Sequence, residues 1–164
     1  MQSSGIKNPL QSVCLVISIN EIVLAITNAS KIKKKNMQSV HLMGEGYEPH
    51  VIWEDGKLTY SLPVDSGFMS YNFDFEISRD DLDILLSDDY RRAVLEITAH
   101  TLLQRSTLKG YDRFTQKDFD KLIVITFHSA SDFLQTFISA INREHQIGIE
   151  HYVKEIMDRR SASQ

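Results

Sequence analysis

The sequence predicts an α+β fold: a small antiparallel β-sheet (a hairpin plus a third strand) followed by a cluster of four to five α-helices. Three observations predict it. Asp55-Gly56 stands between two β-rich runs, a strong hairpin pattern because such a turn needs positive φ. Tyr71 to Ile77 alternates, with Tyr71, Phe73, Phe75 and Ile77 on one side, the period of two of a half-buried strand. After Ser78 the apolar residues recur at helical spacing almost to the end of the chain.

Each element follows from local chemistry. His50 to Glu54 (HVIWE) is the first strand, and Lys57 to Leu62 (KLTYSL) returns from the Asp-Gly turn. Pro63 is expected to end that strand, because it cannot donate to a ladder. Val64 to Ser70 is then a loop containing Gly67, and Tyr71 to Ile77 is the third strand. Ser78-x-x-Asp81 opens a short helix with a hydroxyl at the N-cap and a carboxylate at N3. Ser87 to Asp89 interrupts it and provides a fresh cap for a long helix, about Asp88 to Lys109, and Gly110 stands where a left-handed C-terminal residue belongs. Thr115-x-x-Asp118 opens the next helix, although its run LIVIT is also rich in β-formers and open to a strand reading. Ser131 starts a helix over Asp132 to His145, which Gly148 breaks. Ile149 to Arg160 is the last helix.

The chain divides in composition. Its 164 residues suit one domain with a real core. Residues 1–42 carry five basic residues and one acid, while residues 43–164 carry 13 basic and 21 acidic residues. Residues 1–42 are therefore expected to be a leader, upstream of the true start or loosely attached, and 43–164 a single α+β domain. Leu10 to Thr27 is apolar, but Asn20 and Glu21 interrupt it, and a charge at the centre of a spanning helix costs about 3 kcal/mol. The pieces on either side are too short to span alone. A secretory signal remains an alternative for this stretch. KIKKKN directly before Met37 suggests translation from Met37 or Met43. A start at Met1, with a real N-terminal strand and a basic linker, is the competing reading. The single cysteine, Cys14, permits no intrachain disulfide, which fits a reducing compartment.

Catalytic signatures are missing from the sequence. None of the seven glycines precedes Lys-Ser or Lys-Thr, and there is neither a Cys pair nor HExxH. His100 and Arg105 lie about 140° apart around their helix and do not share a face. His145 and His151 are not spaced as two ligands on one helix. No enzyme activity, metal or cofactor is expected.

The strongest pattern is acidic. Between Asp65 and Tyr90 stand eight acids (Asp65, Asp74, Glu76, Asp80, Asp81, Asp83, Asp88 and Asp89) and one base, Arg79. They read as a solvated face with helix-capping acids, or as a surface for a basic partner. A cation site is disfavoured because the spacing lacks the glycine and distal Glu of a calcium loop. Trp53 and Tyr60 of the hairpin read either as core residues or as interface anchors. An acidic domain repels nucleic acid and anionic membranes, so neither is an expected partner.

The run DDLDILLSDDYRRAVLEITAHTLLQRSTLKG, followed by FTQKDFDKLI and INREHQIGIEHYV, resembles small bacterial immunity proteins. These are the cognate inhibitors of contact-dependent growth inhibition (CDI) toxins. The likeness covers about Gly46 to Arg160, mainly the helical half, and lies in general texture rather than an invariant motif. It implies a cytoplasmic, non-catalytic protein that neutralises a toxin, often a basic nuclease, by filling its positive cleft. That group shares no single fold and no common binding residues, so no residue roles are carried over. The expected partner surface is therefore the acidic one, Asp74, Glu76, Asp80, Asp81, Asp83, Asp88 and Asp89, with Trp53 and Tyr60. An adaptor domain that binds a partner helix in an apolar groove is the alternative.

Overall fold

In the computed structural model, which describes residues 39–162, the chain reverses at Asp55 and Gly56. Their φ angles of 52° and 81° are those of the expected tight hairpin turn. The apolar run, Cys14, KIKKKN and the start at Met37 lie outside the described residues.

The sheet has four antiparallel strands in the order β1-β2-β3-β4: β1 (Val40–Met43), β2 (His50–Glu54), β3 (Lys57–Ser66) and β4 (Met69–Ile77). The sequence expects three. The additional strand, β1, lies across the expected division at 42/43 and pairs Val40 with Trp53 and Met43 with Val51. Gly44 follows it at φ 79°, where a Cβ would lie 2.1 Å from the Pro49 carbonyl oxygen. Only glycine lets the β1–β2 loop close this tightly.

Pro63 does not end β3, which continues to Ser66, and the expected loop is a tight turn at Gly67. The register explains this. Pro63 faces Asn72 and lies beyond the last β2 pair, His50 with Ser61. Backbone groups of alternate residues point to opposite edges of a strand. By that alternation the missing N–H of Pro63 is directed away from β4, to the side where β2 has already ended, so no ladder bond is lost.

Five helices follow: α1 (Arg79–Ser87), α2 (Asp89–Ser106), α3 (Gln116–His128), α4 (Ser131–His145) and α5 (Ile149–Ala162). LIVIT is helical, within α3. α2 ends at Ser106 with Thr107 as its C-cap, so Gly110 (φ 95°) lies in the following turn rather than at the cap. The left-handed residue that closes α4 is Gln146, not Gly148.

α2 lies between two cores. Leu95, Ala99 and Leu103 join Val51, Leu58, Tyr60, Leu62 and Phe75 of the sheet. Ala93 and Val94 join Leu134, Ile138, Ile149 and Val153 of α4 and α5. Under the sheet, Phe119 stacks on Phe75 at 4.1 Å and on Tyr60 at 5.6 Å, contacts worth about 0.5–1.5 kcal/mol each beyond area burial.

Candidate functional site: the acidic corner

The acids expected to act together fall into two groups. Asp81 and Asp88 hold the fold. Ser78 Oγ accepts the Asp81 amide at 3.2 Å, and Asp81 Oδ2 accepts the Ser78 amide at 2.9 Å, closing a capping box. The other Asp81 oxygen bonds His128 Nε2 at 2.8 Å, tying α1 to the end of α3. Burial alone would raise this carboxyl, but hydrogen bonds from Ser78 and His128 outweigh it and hold the group below its usual range. Asp81 is only 7% exposed and is not available to a partner, contrary to expectation.

Asp88 accepts the Arg91 amide at 2.9 Å as the cap of α2 and pairs with Arg91 Nε at 3.5 Å. The Arg91 guanidinium in turn donates to the carbonyls of Thr126, Phe127 and Ser129, at 2.6, 3.2 and 2.9 Å. A cation at the negative end of α3 is favourable, and these carbonyls have no helical partner of their own. Asp88 thus steadies the cation that closes α3.

The remaining acids stay at the surface. Asp80, Asp83 and Asp89 are exposed. Their side chains form no ion pair or hydrogen bond with the described residues. Asp74 and Glu76 lie on the outer face of β4. Asp74 accepts from Ser61 Oγ and from Asn72 Nδ2. Glu76 pairs with Lys57 at 3.4 Å, both side chains more than 60% exposed. Leu86 is 56% exposed on α1, three residues beyond Asp83. The exposed acids follow one another along β4, α1 and the start of α2.

Tyr60 is not an anchor. It is fully buried against Phe119, and its hydroxyl has no hydrogen-bond partner among the described residues. It shares its face with Leu58 and Leu62, as the core reading of the hairpin expects. Trp53 is half-buried and packs on the same core.

Two groups of side chains escape the sequence reading. Glu96 and Arg160 pair at 2.6 Å with side chains 18% and 13% exposed, and Arg92 stands beside them. Burial raises the Glu96 carboxyl despite the two arginines, and burial lowers the Arg92 guanidinium. Arg92 stands four residues before Glu96 on the helix, the spacing of a same-face charge pair, and that was the available signal. Arg92 and Arg160 also line a cleft of about 440 Å³ with Asp89 and Glu48. At the other end of α2, Arg105 reaches His145 Nδ1 at 3.3 Å. His100 shares a depression of about 380 Å³ with that same histidine. His100 and Arg105 do not share a helix face, and no hydrogen bond among the described residues links His100 to His145. Among the described residues no cluster of His, Cys, Asp or Glu could hold a metal ion, and no helix is long and apolar enough to cross a membrane.

No family model, no curated protein and no solved structure matches the chain.

Proposed function

We propose that this chain is a cytoplasmic immunity protein that binds and neutralises a cognate bacterial toxin, a basic nuclease domain, and has no catalysis of its own. One observation carries the reading. Asp81 and Asp88 serve the helix caps, while Asp74, Glu76, Asp80, Asp83 and Asp89 are exposed, and of these Asp80, Asp83 and Asp89 have no partner among the described residues. Surface charge of one sign, unpaired at Asp80 and Asp83, steers an oppositely charged partner and speeds capture, with on-rates up to about 10⁸–10⁹ M⁻¹s⁻¹ at low salt. Leu86, beside Asp83, supplies an apolar contact within the charged surround.

The test is association with the toxin domain encoded beside this chain's gene, at low salt and at about 0.3 M. Asp80→Lys with Asp83→Lys should slow association about tenfold at low salt while melting remains unchanged. Association at the wild-type rate would remove this surface from consideration.

A second reading is favoured by a different surface. Phe68, Met69 and Tyr71 are exposed at the β3–β4 turn, with Leu108 and Tyr111 exposed on the loop after α2. An adaptor domain would dock a partner helix on such an apolar patch. Its binding would scarcely respond to salt.

A further inference from the structure

Among the described residues β4 is an edge strand, with β3 on one side only. At its end the side-chain amide of Gln116 occupies the open edge. Gln116 Oε1 accepts the Glu76 amide at 2.9 Å, and Gln116 Nε2 donates to the Glu76 carbonyl at 2.9 Å. One residue of an added strand would make this same pair of bonds. It also fixes the direction of the free backbone groups. If Glu76 points outward, so do Asp74 and Asn72 by alternation. No backbone hydrogen bond from the other described residues reaches either of them.

We infer that β4 extends its sheet by accepting a strand from the partner, a segment that alternates basic and apolar residues. The inference rests on the acidic-surface reading and specifies how that surface is engaged. Charge selects the occupant. On the outer face, Asp74 would stand opposite a side chain of the added strand, with Glu76 just beyond the paired stretch, which favours lysine or arginine there. On the inner face, Tyr71, Phe73, Phe114 and Arg113 line a depression of about 330 Å³ that receives an apolar residue. A second copy of this chain fits badly, since pairing β4 with β4 would bring like carboxylates together across the seam. Backbone bonds then supply affinity and the alternating side chains supply selectivity.

Amide exchange on the full chain tests this. In the free protein the amides of Asn72 and Asp74 should exchange fast, and those of Phe73 and Phe75, in the ladder with β3, slowly. A capped hexapeptide alternating lysine and valine, at about 1 mM, should slow Asn72 and Asp74 about tenfold or more. The same peptide N-methylated at alternate residues keeps its charge and should not. Asn72→Pro should abolish the effect while melting is retained, because an outward N–H is not used by the sheet. Slow exchange in the free chain would show that the chain itself covers this edge and would overturn the inference. Equal binding by the methylated peptide, or no slowing with either, would also overturn it. A toxin that binds the Asn72→Pro chain normally but not the Asp80→Lys, Asp83→Lys chain would sink the strand and leave the acidic surface standing.

Discussion

Asp80 and Glu96 are both carboxylates on helices, and their surroundings are opposite. Asp80 stands exposed on α1 with no partner among the described residues. Glu96 lies largely buried on α2, clamped to Arg160 at 2.6 Å. The first adds to a surface field and little to stability. The second adds little to the field and holds α2 to α5. What a charge does here is set by its depth and its partners, and a count of acids along the chain registers neither.

The largest expected effect would break the buried side of that contrast. Glu96→Ala leaves Arg160 and Arg92 without their counter-charge, and removing one partner of a buried pair costs about 3–5 kcal/mol. Urea unfolding at pH 7 should show it. Replacing Glu96 and Arg160 together by leucine and methionine should restore most of the loss, since a well-packed apolar pair is often neutral. A single variant as stable as wild type would make Glu96 a surface residue in all but position.

A smaller effect separates neighbours. Asp81→Ala removes the capping box and the His128 bond and should cost about 1–3 kcal/mol, whereas Asp80→Ala should stay within about 0.5 kcal/mol. Acid titration sharpens the distinction. The folded Asp81 carboxyl lies below its ordinary value of 3.8, so its contribution is present at neutral pH and lost as pH falls through the folded value. Glu96 lies above its ordinary 4.5, so the folded state takes up that proton first and acid favours it. Asp81→Asn should therefore be less stable at neutrality and converge on wild type in acid. Glu96→Gln should steepen the acid loss instead. Parallel curves for all three chains would refute the assignment of these two sites.

The smallest expected effect belongs to the exposed pair of Lys57 and Glu76. Lys57→Ala should change stability by about 0–1 kcal/mol, less as salt rises, when melting is compared at two ionic strengths.

Much of the fold was legible because its signals are local. Asp55-Gly56 turns as its chemistry demands, and both capping patterns, at Ser78 and Thr115, form with their N3 aspartates. β1 was not legible. Its four residues are too few to display alternation, and a bulge shifts the register between His41 and Met43. Pro63 misled because its tolerance depends on where a neighbouring strand stops. At the candidate site, residue types were readable and availability was not. The capping pattern singles out Asp81 from Asp80 in sequence, but the histidine from α3 that covers its other oxygen is not visible there. The reach of Arg91 to carbonyls at the end of α3 is likewise invisible in one dimension.

The position of α2 has a consequence for how the molecule comes apart. Successive residues, Val94 and Leu95, belong to different cores. Neither the sheet half nor the α4–α5 half can melt without stripping one flank of that shared helix. Denaturation of the described region should proceed as a single cooperative step, with the backbone amides of α2 the last to open.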